Sequence, residues 1–126
     1  MTSITYDRLY SDADGTSCVQ KNLTMELSTV DFAPPAPPLA VSAPEPASTY
    51  AFVTAPVGFV GDWHPSPKRQ WVFYLRGELE YEAGDGTVWR VGPGSYMLTE
   101  DTTGRGHRSR VVSSTPVVLA VVQLEP

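Results

Sequence analysis

The clearest strand pattern in the chain lies in QWVFYLRGELEYEAGDGTVWRV, residues 70–91. Its first half is rich in aromatic and β-branched residues, and Leu79 and Tyr81 then alternate with three glutamates. Alternation of period two is typical of a strand with one face on the core and one face in water. The Gly-Asp-Gly sequence at 84–86 is a strong hairpin signal. This stretch therefore predicts a β-hairpin.

On both sides of this stretch, further short apolar runs separated by glycine and proline predict additional strands. They lie at Ile4–Tyr10, Leu23–Leu27, 95–99, 108–112 and 117–124. The last of these is almost wholly apolar, which is typical of a strand covered on both faces. No window keeps the helical spacing of apolar residues for more than about a turn. The sequence predicts an all-β sandwich or barrel, and the pattern leaves immunoglobulin-like, lipocalin-like and jelly-roll forms open.

One segment breaks the strand pattern. Residues 34–46 contain six prolines and cannot form a central strand, because proline donates no ladder hydrogen bond. We expect an extended arm on the surface; a ligand for a proline-recognition domain is the alternative. The 126 residues fit one domain, with residues 1–49 as N-terminal strands and Pro-rich arm packing on the barrel and 50–126 as the core.

Composition narrows the function classes. A net charge of −5 disfavours binding to nucleic acid or to an anionic membrane. The single cysteine, Cys18, cannot form an internal disulfide, which favours a reducing, cytoplasmic location. We also expect no secretory signal, because Met1–Leu9 is polar, and no membrane span, because no apolar run approaches about 18 residues.

The chain has two histidines, His64 and His107, and each lies beside a predicted strand in a glycine- or proline-rich context. Histidine is the commonest metal ligand and the usual acid–base group near neutral pH. Solvated loop residues are the ordinary alternative. Tyr74 is a further pocket candidate, because it shares a strand face with Gln70.

The spacing around His64 resembles the first motif of the cupin superfamily, G-x5-H-x-H-x3–4-E-x6-G. Gly58 and Gly77 stand at its two glycine positions, and His64 stands at its first histidine. Ser66 replaces the second histidine, and Gln70 replaces the glutamate.

Residues 102–107, TTGRGH, resemble the P-x-G-x-x-H of the second cupin motif, with threonine for proline. The asparagine expected four positions after His107 is Val111. The resemblance covers roughly 50–124 and implies a cupin-type jelly-roll barrel.

The resemblance implies a metal site at His64, Gln70 and His107, holding a divalent transition metal such as Fe, Mn, Ni or Zn. A glutamine in place of the carboxylate weakens such a site, because it removes one negative charge. Neighbouring acidic side chains could restore that charge: Asp62, Glu100 and Asp101. The alternative is a metal-free pocket in which the two histidines move protons or donate hydrogen bonds.

The resemblance also implies the function: an isomerase, cyclase or oxygenase that acts on an oxygenated metabolite without an organic cofactor. The candidate catalytic residues are His64, His107, Tyr74 and Glu100. Two arginines, Arg69 and Arg76, could anchor an acidic substrate. The alternative is a non-catalytic metabolite-binding or sensor domain. We expect a small-molecule ligand and a homodimer formed through sheet edges or exchanged N-terminal strands.

Overall fold

The computed structural model describes residues 2–125 and contains ten strands among them. No helix forms within this range, so none is available that could cross a membrane. The prediction of an all-β fold is therefore confirmed. The strands are β1 (Thr2–Ser11), β2 (Ser17–Val30), β3 (Leu39–Val41), β4 (Ala47–Ala55), β5 (Gln70–Arg76), β6 (Leu79–Glu82), β7 (Val88–Val91), β8 (Tyr96–Glu100), β9 (Arg108–Val111) and β10 (Val117–Leu124).

The strands form two sheets. The larger has seven strands in the order β3-β2-β1-β8-β5-β10-β4, and the smaller has three in the order β7-β6-β9. All pairings are antiparallel except that of β1 with β8, which is parallel. Isolated bridges from Val60 to Arg110 and from His64 to His107 lay the segment before β5 alongside β9.

The core lies between the two sheets. Alternation turns Val72 and Met97 of the large sheet toward Tyr81 and Trp89 of the small sheet, and all four are buried. Leu9 of β1 is fully buried in the same cluster. The N-terminal strands are therefore part of the single core rather than a layer added outside it.

The N-terminal half of the chain differs most from the sequence expectation. The strand predicted at Leu23–Leu27 is part of the much longer β2, and β4 was not predicted. The expected boundary after residue 49 falls inside β4, which begins at Ala47. Eight of the nine β4 residues are exposed, so the sequence of β4 shows no clear alternation of buried apolar and exposed polar residues. The strand is defined by its pairing with β10.

The Pro-rich segment runs at the surface, as expected. Its one strand, β3, pairs only with β2 at the edge of the large sheet, where proline is tolerated. Residues 42–45 then pass close to Trp71 and Phe73, with which they line a surface groove.

Candidate functional site

The two histidines face each other across a short antiparallel bridge. The N–H of His64 donates to the carbonyl of His107 at 2.9 Å, and the N–H of His107 donates to the carbonyl of His64 at 3.0 Å. Their ring centroids lie 4.7 Å apart. Gly106 permits this approach: its φ is +76°, and an added Cβ would lie 2.0 Å from the His64 carbonyl oxygen. The backbone thus brings together two residues that are far apart in the sequence.

His107 is held by a buried carboxylate. Its Nδ1 lies 2.6 Å from Oδ2 of Asp101, which is fully buried, and His107 itself is 6% exposed. A carboxylate accepts the Nδ1 proton and so directs the Nε2 lone pair of a neutral imidazole away from itself. This is the arrangement by which an aspartate orients a general-base histidine.

Ser66 completes the arrangement on the other side of Asp101. Its hydroxyl donates to Oδ1 of Asp101 at 2.8 Å, and its N–H donates to the Asp101 carbonyl at 3.0 Å. The residue at the second ligand position of the family motif therefore supports the carboxylate behind His107.

The loop that carries Asp101 and His107 is packed tightly against the β1–β2 turn. An added Cβ on Gly104 would lie 2.1 Å from the carbonyl oxygen of Gly15. The buried Ser17 hydroxyl donates to the Gly106 carbonyl at 2.8 Å and accepts from the Gly84 N–H at 2.6 Å. These contacts with the β1–β2 turn hold the loop in place and so preorganise the side chain of His107.

The histidines open into a cavity of about 310 Å³ between the two sheets. Its walls are mainly aliphatic, including Val72, Leu119 and Val121. The described residues that line it include no lysine, arginine, aspartate or glutamate. This volume is at the small end of the range for ligand pockets, which are typically apolar with a few converging polar groups.

Gln70 supplies one of those polar groups. It is the register partner of Gln123 on β10, whose Nε2 lies 3.4 Å from the Gln70 side-chain oxygen. The Thr49 hydroxyl donates to the Gln123 side-chain oxygen at 2.9 Å. Gln123 thus approaches the Gln70 side-chain oxygen, and no described residue accepts a hydrogen bond from the Gln70 NH₂ group, which is available as a donor.

Tyr74 lies beneath the cavity, not in its wall. It is 4% exposed, and its hydroxyl donates to the Tyr81 hydroxyl at 2.8 Å. Tyr81 lines the cavity and packs beside His107, with ring centroids 5.6 Å apart. Burial raises the pKa of Tyr81 to about 12, so its hydroxyl is neutral at physiological pH. The alternation of Tyr81 with Leu79 was the sequence signal for this inward position.

Glu100 points away from the cavity. Alternation along β8 turns Thr99 and Asp101 inward and Glu100 outward, where its two oxygens bond Arg8 and Arg69. Although its partial burial opposes the effect, these bonds hold the pKa of Glu100 below its usual 4.5. Glu100, a candidate catalytic residue from the sequence, therefore does not line the cavity.

Neither arginine singled out from the sequence lines the cavity. Arg69 is bound to Glu45 at 2.8 Å and also to Glu100. Arg76 is exposed at the end of β5. An acidic substrate would therefore find no cationic anchor inside.

The donor set does not fit a divalent metal. Within residues 2–125, no group of three or more histidine, cysteine, aspartate or glutamate side chains comes together to hold an ion. The carboxylate nearest the histidines, Asp101, is engaged by His107 and Ser66, and Asp62 is exposed. Two neutral imidazoles and the Gln70 amide remain, a set without negative charge.

The two sheets therefore enclose a cavity with the buried Asp101–His107 pair at its edge. A family model described as "Cupin domain" matches residues 51–123. The chain belongs to the cupin-domain family, which confirms the resemblance and the cupin-type fold.

Two solved structures are similar at low identity. Protein NMB1881 from Neisseria meningitidis is 20% identical, with a TM-score of 0.48 over 60% of this chain and 72% of that one. The Schizosaccharomyces pombe Cnp3 cupin domain is 13% identical, with a TM-score of 0.47 over 99% of this chain and 86% of that one. A search of curated proteins finds no match.

Proposed function

We propose that this protein is a metal-independent acid–base enzyme that moves a proton on a small, neutral, oxygenated molecule during isomerisation or cyclisation. The observation that carries the proposal is the buried Asp101–His107 pair, bonded at 2.6 Å at the edge of a mainly apolar cavity.

His107 is the proposed general base. With its Nδ1 proton held by Asp101, its Nε2 accepts a proton from a carbon next to a carbonyl group. The Asp101 carboxylate then stabilises the imidazolium that forms. Ser66 fixes the carboxylate through its hydroxyl, 2.8 Å away. His64, exposed at the cavity mouth, is suited to exchange the proton with solvent.

Gln70 is the proposed donor to the substrate oxygen. Negative charge develops on that oxygen as the proton leaves, and a fixed N–H donor in an apolar site stabilises it. An ionised glutamate, the residue of the family motif at this position, could not donate such a bond. Gln123 and Thr49 orient the amide.

The lining of the cavity points to a neutral substrate. A carboxylate or phosphate group would lose its water without gaining a cationic partner, and it would approach the Asp101 charge. A volume of about 310 Å³ suits a compact ketone, aldehyde or lactone.

Proton exchange tests this mechanism directly. The protein is incubated in D₂O with a panel of small neutral ketones and lactones and with matched carboxylic acids, and NMR follows loss of the α-proton signal. We expect exchange on neutral compounds only, lowered about 10²- to 10⁴-fold by Asp101→Asn, since general-base catalysis supplies about that factor. Ser109→Ala, which changes the cavity lining but leaves the Asp101–His107 pair intact, is the control. Exchange that Asp101→Asn leaves unchanged refutes the mechanism.

Measuring the metal content tests whether the protein is metal-independent, as proposed. We expect no stoichiometric Fe, Mn, Ni or Zn in the purified or metal-loaded wild-type protein. The double variant Ser66→His/Gln70→Glu rebuilds the ligand set of the family motif and should gain Zn²⁺ affinity. Stoichiometric metal in the wild type that is lost on His64→Ala or His107→Ala would support the metal site and overturn the metal-independent proposal.

A non-catalytic metabolite-binding domain is the second candidate, favoured by the mainly aliphatic walls of the cavity. Ligand binding by calorimetry without any α-proton exchange across the panel would favour it over the enzyme.

A further inference from the structure

We infer that a groove on the outer face of the large sheet is a second binding site, and that its ligand is a methylated organic cation such as a quaternary ammonium group. This groove, named here the arm groove, has a volume of about 270 Å³ and shares no lining residue with the cavity between the sheets. Residues 42–45 of the Pro-rich arm line it together with side chains of β1, β2, β5 and β8: Ile4, Met25, Trp71, Phe73 and Tyr96. The inference does not depend on the chemistry proposed for the cavity.

Strand alternation separates the two sites. On β5, Gln70 and Val72 line the inner cavity, so the intervening Trp71 and Phe73 point outward and line the arm groove. Both aromatic side chains stay partly exposed, as does Tyr96 on the neighbouring β8. The arm therefore leaves part of this aromatic surface uncovered, and the two faces of β5 serve two different pockets.

The aromatic rings form one continuous cluster. The ring centroids of Trp71 and Phe73 lie 6.4 Å apart, with planes 20° from parallel. Tyr96 meets Phe73 at 6.0 Å and 67°, and Tyr6 meets Trp71 at 5.1 Å and 68°. These contacts hold the rings in place, so the groove is preorganised with aromatic surfaces in two orientations. The face of an aromatic ring carries partial negative charge and attracts a cation within about 6 Å of its centre.

The charge in the groove favours a cation over an anion. Among the described residues that line it, Glu45 is the one charged residue, and there is no lysine, arginine or histidine. Arg69, which does not line the groove, holds Oε2 of Glu45 at 2.8 Å and also contacts Glu100. This ion pair positions the carboxylate, and no described residue donates a hydrogen bond to its Oε1. An anion would meet this carboxylate and the negative ring faces without a cationic partner.

The rest of the lining favours a methylated cation over a primary ammonium group. Ile4, Phe73 and Pro44 have apolar side chains, so they offer no acceptor to replace the water around three N–H donors. Methyl groups remove that requirement, because they carry the charge on a surface that packs against aromatic rings. The flexible thioether side chain of Met25 adapts its shape to such a group.

Ligand-observed NMR tests the inference with tetramethylammonium and choline as probes. The neutral control is the carbon isostere of choline, in which a tert-butyl group replaces the trimethylammonium group. We expect saturable binding of both cations, with an upfield shift of their methyl signals caused by the aromatic rings. The isostere has the same shape without the charge, so it should bind roughly 10-fold more weakly than choline.

Substitutions then locate the site. Trp71→Leu keeps an apolar side chain but removes the ring, and should weaken cation binding roughly 10-fold while changing the affinity for the isostere much less. Glu45→Gln should act in the same direction. Leu75→Ala is the matched control, because Leu75 follows on the same face of β5, is 50% exposed and does not line the groove. Circular dichroism checks the fold of each variant, and Phe73→Leu replaces Trp71→Leu should that variant not fold.

The same headgroup occurs on free metabolites and on trimethylated lysine side chains, and a short peptide carrying trimethyllysine separates these two sources. Peptide binding much tighter than choline binding would identify a protein side chain as the ligand, and equal binding a free metabolite. Three outcomes overturn the inference: no saturable binding of either cation to the wild type, equal binding of choline and its isostere, or unchanged cation binding in the folded ring-deletion variant.

Discussion

Ser66→Ala removes one of the two side-chain hydrogen bonds that hold the buried Asp101 carboxylate. The donor and acceptor are 2.8 Å apart, and the two residues are 2% and 0% exposed. The backbone bond from the Ser66 N–H to the Asp101 carbonyl, at 3.0 Å, is independent of the side chain. The substitution therefore tests the hydroxyl alone, with the loop still anchored.

The expected cost follows from that geometry. A hydrogen bond to a charged group contributes about 1.5–3 kcal/mol, and an unmatched buried acceptor adds its desolvation penalty. His107 still bonds the carboxylate at 2.6 Å, so we expect the lower half of that range, roughly 1.5–2 kcal/mol. For a domain of this size the loss corresponds to a fall in Tm of about 5–9 °C.

Urea unfolding gives the free energy, and NMR of the imidazole nitrogens reports the tautomer of His107. We expect the Nδ1–H form in the wild type and a perturbed Nδ1 proton signal in Ser66→Ala. Ser109→Ala is the control, because its hydroxyl makes no hydrogen bond to the described residues and it lines the same cavity. The proposed support of Asp101 by Ser66 is contradicted if Ser66→Ala lowers the free energy of unfolding no more than Ser109→Ala does, or if His107 carries its proton on Nε2.

Two further predictions concern the frame around the site. Glu100→Gln breaks a two-arginine contact and should cost about 1–2 kcal/mol at neutral pH. Because the folded pKa of Glu100 is lowered, its contribution is complete above 4.5 and is lost as pH falls through the folded value. In urea titrations, the difference in unfolding free energy between variant and wild type should therefore narrow as the pH falls below 4.5, and a constant difference contradicts the contact. Gly106→Ala places a Cβ 2.0 Å from the His64 carbonyl oxygen and should lower the free energy of unfolding by about 3 kcal/mol or more. The control Gly86→Ala has φ +91° but open space around the added Cβ, and should lower it by about 1–2 kcal/mol. Equal losses in thermal unfolding would show that the close approach of Gly106 to His64 is unimportant.

Much of the fold follows from local pattern. The alternation at Leu79 and Tyr81 and the Gly-Asp-Gly turn specify the β6–β7 hairpin, which forms with Leu79 opposite Val91. Strand β4 does not follow from pattern, because both of its faces are largely exposed and its ladder to β10 joins segments far apart in the chain. Hydrogen bonds of that kind leave no periodic signal in either segment.

In the candidate site, too, some residues could be predicted from the sequence and others could not. The motif spacing selected His64 and His107, and the structure brings their rings within 4.7 Å. The motif spacing could not show which of the nearby carboxylates contacts His107. The choice depends on the pleat of β8, which turns Asp101 inward to His107 and Glu100 outward to the arginines.

The all-β class, the family and the two histidines could be predicted from the sequence, because alternation and motif spacing are local properties of the chain. The role of Ser66 could not be predicted in this way and depends on the folded arrangement. Its hydroxyl meets the carboxylate of a residue 35 positions away, where the loop before β5 crosses the loop after β8. Contacts between distant segments depend on strand register and loop packing. Here they allow Ser66, at the second histidine position of the family motif, to support the buried Asp101–His107 pair.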